Sequence, residues 1–164
     1  MKECRSDYDY LFARKPKLRN LISAFLFFPG FRAVVIMRLQ LSLQSKDRHR
    51  SALFVSNLNH SLTGMEVCVG AQIGVPVVVR HPSGIVIGGG ARIGNHCIIL
   101  HGVTVGEKYV KNSDSRYPVI GNGVQIGCNA SILGGLTIGE NSVIGAHSLV
   151  LKDVEAGQTV YGVH

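Results

Sequence analysis

From Val67 onward an aliphatic residue recurs every six positions almost to the end of the chain: Val67, Ile73, Val79, then Ile87, Ile93, Ile99, Val105, then Ile120, Ile126, Ile132, Ile138, Ile144 and Val150. Glycine directly follows many of them, as in Ile73-Gly74, Ile87-Gly88, Ile93-Gly94, Ile120-Gly121, Ile126-Gly127, Ile138-Gly139 and Ile144-Gly145. A six-residue unit cannot bury its own aliphatic side chain. It becomes stable only when successive coils stack and the Ile and Val positions form continuous interior columns, with a tight corner after each short strand. The period therefore predicts a parallel β-helix. An ordinary sandwich or barrel would show alternation with period two, which is absent. With three hexapeptides to a triangular turn, residues 67–155 suffice for about four to five turns.

The register breaks twice. From Val79 to Ile87 the step is eight residues, and from Val105 to Ile120 it is fifteen. The first break holds Arg80-His81-Pro82-Ser83-Gly84, and the second runs from Glu107 to Pro118 and includes Arg116 and Tyr117. Segments that leave a rigid solenoid are where ligand contacts concentrate, so candidate functional residues are sought there first.

Residues 1–60 lack the six-residue period and hold only Gly30 of the 20 glycines. The spacing of Leu18, Leu21, Ile22 and Phe25 fits a helix that Pro29-Gly30 ends. A second helix is expected from Phe31 to about Leu43, a turn over Ser45 to Arg50, and a further helix or extended connector over Ala52 to Leu62. The division expected is a helical segment over 1–60 and a β-helix domain over 61–164. The apolar fraction of 46% is ample for a core.

Charge is uneven. Residues 1–50 carry 11 of the 17 Lys and Arg and 4 of the 10 Asp and Glu, so 11 − 4 accounts for the whole formal charge of +7. Basic residues Arg14, Lys15, Lys17, Arg19, Arg32 and Arg38 surround the apolar runs Leu21–Phe28 and Phe31–Leu43. That mixture fits peripheral contact of residues 12–50 with a membrane surface, a solvated basic face being the alternative. Neither run is long enough, free of charge, for a span. Nucleic acid is not expected, because no reading motif appears and the second half supplies no basic stripe. Glu3, Asp7 and Asp9 near the start argue against a secretory leader, so a cytoplasmic protein is expected, in contact with the inner membrane surface if the basic segment binds lipid. Cys4, Cys68, Cys97 and Cys128 have no metal-type spacing, and the last three are expected to be small buried hydrophobes.

Four stretches resemble the serine acetyltransferase-like branch of the hexapeptide acyltransferases: Gly64-Met65-Glu66-Val67, His81-Pro82-Ser83-Gly84-Ile85-Val86-Ile87-Gly88, Gly102-Val103-Thr104-Val105-Gly106, and Val150-Leu151-Lys152-Asp153-Val154 with Gly162-Val163. The resemblance implies a left-handed β-helix, a homotrimer, and transfer of acetyl from acetyl-CoA to a hydroxyl, without metal. It implies His81 as general base and Glu66 as the carboxylate that holds the far nitrogen of its ring. A single histidine of near-neutral pKa suits this chemistry, since the thioester is already activated and the hydroxyl needs only to lose its proton. His101, twenty residues beyond His81, is expected one coil above it, lining the same cleft. His96 and His147 are expected at exposed corners. The resemblance further implies CoA contacts at Gly106, Cys128 and Ala146, with Lys152 near a phosphate.

The match has gaps. Arg80 stands where the serine enzymes have Asp, Tyr117 where their loop has His, and Gly89 where they have Glu. An arginine beside the base repels an ammonium group, while Arg116 remains available for a carboxylate or phosphate. The expectation is accordingly an O-acetyltransferase acting on a sugar hydroxyl in surface-polysaccharide assembly, with Arg80, His101, Arg116 and Tyr117 around the acceptor. Serine as acceptor is the alternative, and an inert β-helix scaffold a further one.

Overall fold

The computed structural model describes residues 2–13, 15–108 and 116–164. Four helices precede the coils: α1 (Lys2–Phe12), α2 (Leu18–Phe27), α3 (Pro29–Gln44) and α4 (His49–Thr63). The break at Pro29 and the turn after Gln44 fall where the sequence places them. The α1 helix does not emerge from the pattern of apolar residues, because its mean composition is polar and its buried side chains are Asp7 and Tyr8. α4 starts at His49, earlier than expected, and ends on Gly64 in the left-handed conformation at φ 76°.

The remaining chain winds as a parallel β-helix with three faces. The first face stacks β1 (Glu66–Val67), β4 (Val86–Ile87), β7 (Thr104–Gly106), β10 (Ser131–Leu133) and β13 (Leu149–Val150). The second stacks β2 (Gln72–Ile73), β5 (Arg92–Ile93), β8 (Val119–Ile120) and β11 (Thr137–Ile138). The third stacks β3 (Val77–Arg80), β6 (Cys97–Leu100), β9 (Gln125–Ile126), β12 (Val143–Ile144) and β14 (Thr159–Val160). Every pairing is parallel and joins one six-residue aliphatic to the next, as in Val67↔Ile87↔Val105↔Ile132↔Val150. The insertions therefore leave the coil surface without shifting the interior columns. A second interior column, two residues earlier in each repeat, is filled by Met65, Ala71, Val77, Ile85, Ala91, Cys97, Val103, Val124 and Ala130, all buried. Of the three cysteines expected inside the coils only Cys97 is fully buried; Cys68 and Cys128 sit at corners, half-buried.

A solenoid ends in a coil with unpaired backbone groups, which must find partners. Here the helices supply them. Gln40 and Ser56 donate to the Val67 carbonyl at 2.8 and 2.6 Å, and Gln44 accepts from the Gly70 N–H at 2.8 Å. Arg38 donates to the carbonyls of Ile73 and Gly74 at 3.0 and 2.7 Å, and Asp7 accepts from the Val77 N–H at 2.8 Å. Asp7 and Arg38 are themselves joined by two 2.9 Å bonds and are almost fully buried. α3 lies so close to β3 that a side chain at Gly30 would overlap the Val79 carbonyl, which explains the glycine after Pro29.

α2 leaves Leu18, Ile22, Leu26 and Phe27 exposed, and α4 leaves Leu53, Phe54, Leu58 and Leu62. Among the described residues no single helix is long and apolar enough to cross a membrane, and α2 and α3 meet at 107°.

Removing one partner of a buried ion pair leaves the other charge uncompensated, at a cost of about 3–5 kcal/mol. Asp7→Ala is therefore expected to lower stability by about that amount in urea unfolding, while Asp47→Asn, which removes an exposed charge beside His49 and keeps a residue that tolerates the left-handed turn at φ 55°, is expected to change it by less than about 0.5 kcal/mol.

Candidate active site

Two columns of corners flank the first face of the β-helix. The corner before each first-face strand follows from the register Arg80↔Leu100 and Ile99↔Ile126↔Ile144. It places His81, His101, Cys128 and Ala146 above one another. His81 has φ 55°, a left-handed turn that histidine tolerates, and its side chain is exposed. The His101 ring meets it edge to face with centroids 6.2 Å apart, as the twenty-residue spacing predicts. The His101 carbonyl accepts from the Asn129 N–H at 2.9 Å, whereas its Nδ1 is buried without a partner among the described residues. Arg80 is exposed beside His81, at the end of β3. A small cavity of about 160 Å³ borders both and is walled on its other side by Phe28, Pro29 and Gly30, so the helical segment contributes to the surroundings of the base. His96 and His147 lie at exposed corners with φ 60° and 58°.

The corner after each first-face strand holds a different group. The Tyr117 ring lies on the backbone of Gly88 and Gly90, where any side chain would run into it. Burial and the neighbouring Glu107 carboxylate, which Tyr117 hydrogen-bonds, raise the phenol above its ordinary pKa, and Cys68 adds to the shift. Directly below lies Cys68, whose Cβ a side chain at Gly89 would reach at ordinary van der Waals distance. Gly106 and Lys152 belong to this second corner, Gly106 half-buried and pairing with Leu133, and Lys152 exposed. The CoA contacts expected from the sequence therefore divide between the two edges of one face: Cys128 and Ala146 beside His81, Gly106 and Lys152 opposite. Arg116 is exposed next to Tyr117, and its carbonyl accepts from the Lys108 N–H at 3.2 Å. Residues 109–115 of the loop lie outside the described residues.

No hydrogen bond or ion pair within 4.0 Å joins Glu66 to His81. Glu66 projects from the first face on β1, and its Oε1 instead receives the Cys68 thiol at 3.8 Å. The backbone explains this: Glu66 is in register with Val86, five residues beyond His81, while Cys68 is two residues along its own chain. Cys68 was read only as a packing residue. Its spacing from Glu66, two apart across a coil corner, is the signal that pairs them. Among the described residues, no group of three or more His, Cys, Asp or Glu gathers as a metal set.

Comparison with known proteins agrees with this architecture. Residues 117–152 match the model of the bacterial transferase hexapeptide family (six repeats). The chain is 34% identical to the serine acetyltransferase of Bacillus licheniformis over 99% of its own length and 74% of the relative's. The chain belongs to the serine acetyltransferase family. It is 38% identical to the serine acetyltransferase of Synechococcus elongatus, over 99% of the chain but only 66% of the relative. The solved serine acetyltransferase of Neisseria gonorrhoeae superposes with a TM-score of 0.86 at 37% identity, covering 98% of this chain and 63% of that one. The chain thus spans slightly less than two thirds of the length of several serine acetyltransferases it matches. These relatives carry serine in their names, whereas Arg80 and Tyr117 led to the expectation of a sugar acceptor.

Burial, then the Glu66 carboxylate, raises the Cys68 thiol pKa; burial also raises that of Cys97. A raised pKa means less thiolate at a given pH. Site-resolved iodoacetamide labelling at pH 7.5 is therefore expected to modify both more slowly than a free thiol, and Glu66→Gln should accelerate Cys68 alone.

Proposed function

We propose that this protein transfers the acetyl group of acetyl-CoA to the hydroxyl of L-serine, working as a homotrimer. The observation that carries the reading is the exposed His81 at the edge of the first face of a serine acetyltransferase β-helix. Related structures in complex with serine, from Neisseria gonorrhoeae and soybean, support the acceptor.

In this reading His81 removes the hydroxyl proton as the serine oxygen attacks the thioester carbonyl. The tetrahedral oxyanion then collapses, the carbon–sulfur bond breaks, and the departing CoA thiolate takes the proton from the imidazolium. Glu66 is the carboxylate that stabilises the imidazolium. Backbone amides of the corner columns, at Cys128 and Ala146 on one edge and Gly106 on the other, suit the amide-rich pantetheine arm of CoA. Two such columns on opposite edges of one face leave each copy with half of a groove, and a threefold arrangement brings unlike edges together. Arg116 supplies a guanidinium for the serine carboxylate.

A second reading keeps the same chemistry with a sugar hydroxyl as acceptor. What favours it is Arg80 beside His81 together with Tyr117 on its glycine seat, since neither offers a carboxylate to an ammonium group.

The test is release of CoA thiol by the purified protein with L-serine, with other hydroxy amino acids, and with free and nucleotide-linked sugars. Turnover with serine is expected, and His81→Ala is expected to lower kcat by about 10²- to 10⁴-fold, the usual contribution of a general base. Turnover confined to sugars would establish the second reading, and an undiminished rate in His81→Ala would remove both.

A further inference from the structure

Glu66 is the carboxylate the reaction calls on, yet in the structure its Oε1 meets the Cys68 thiol at 3.8 Å and no hydrogen bond or ion pair joins it to His81. The Cys68 backbone is held in the coil, its N–H donating to the Ile87 carbonyl at 2.8 Å. At the neighbouring corner the Tyr117 ring fills the space that a side chain at Gly88 or Gly90 would need. The Glu66 backbone is fixed as well, since its N–H donates to the Ile85 carbonyl at 2.8 Å and its Cα pairs with Val86. The side chain is therefore the part of Glu66 left to choose a partner. Its two candidate partners lie at opposite edges of the first face, Cys68 at one and His81 at the other.

Resting on the reading of His81 and Glu66 given above, we propose that Cys68 is a positioning residue that competes with His81 for the Glu66 carboxylate. With its thiol donating to Oε1, Cys68 parks the carboxylate away from the base. Turning toward His81 exchanges an S–H···O contact for a charge-assisted bond once the imidazole takes up the serine proton, so the carboxylate moves when the charge it must balance appears. A thiol is a weak donor, which suits a partner that has to be released. The pKa of Cys68, raised by burial and by Glu66 itself, keeps the thiol protonated and able to donate.

A purely structural role for Cys68 and a competitive one differ in sign. Cys68→Ala removes the competitor, and Cys68→Ser replaces it by a stronger hydroxyl donor of nearly the same size. If Cys68 competes for Glu66, kcat should rise in Cys68→Ala and fall in Cys68→Ser, each by roughly 3- to 10-fold, the factor that one ordinary hydrogen bond can shift an equilibrium. KM for acetyl-CoA should stay constant, and both changes should vanish in the Glu66→Gln background. Melting temperature, measured on every variant, separates loss of fold from loss of rate. Cys68→Ala and Cys68→Ser changing kcat in the same direction, or persisting in Glu66→Gln, would overturn the proposal and leave the assigned reaction standing. A Glu66→Gln variant as fast as the wild type would instead remove the role of Glu66, and the proposal with it.

Discussion

The coils of this protein are held in place from one end. A parallel β-helix is a stack in which each coil satisfies the backbone of the next, so the first coil must be completed by something that is not a coil. Asp7 and Arg38 do this together: Arg38 reaches two first-coil carbonyls, and Asp7 binds both Arg38 and a first-coil N–H. The pair is nearly inaccessible to water, so each charge depends on the other and on the backbone groups around it. Gln40, Gln44 and Ser56 complete the cap. The helical segment is accordingly the base on which the solenoid is built, and because it also walls the cavity beside His81 it links the fold of the first sixty residues to the chemistry.

Stacking then turns sequence spacing into position. The two residues inserted after Val79 leave the register Val79↔Ile99 intact and form a corner in which His81 faces outward under His101. The longer insertion leaves Ile93↔Ile120 paired and returns the chain at Tyr117, whose ring occupies the space that glycines at 88 and 90 leave open. The glycines and the tyrosine are best understood as one unit, since side chains at 88 or 90 and the ring at 117 exclude each other sterically. This gives the departures from the serine enzymes at Gly89 and Tyr117 a shared structural context at the second corner.

Electrostatics at the two corners differ. Arg80 makes the His81 edge cationic, whereas Glu66 and Glu107 gather at the opposite edge with Tyr117 and Cys68, two neutral donors whose pKa values are raised. A carboxylate on one edge and a base on the other can cooperate only if a side chain crosses the face or a second copy closes the groove.

By itself the sequence determined the β-helix, its turn count, the break at Pro29-Gly30, the two departures from register and the vertical alignment of His81 with His101, because each follows from counting residues along a strictly periodic stack. The same period, offset by two, would have revealed the second interior column of Met65, Ala71 and Val77. Tertiary structure alone decided that α1 exists and why: its polar sequence is stabilised by the burial of Asp7 against Arg38, a partner 31 residues away. It also decided that Glu66 rests on Cys68, that Tyr117 seats on glycines 27 and 29 residues before it, and that the expected CoA contacts fall on both edges of one face. Periodicity fixes where a backbone corner lies, but the partner a side chain takes at that corner depends on rotamers and on segments brought together only when the coils close.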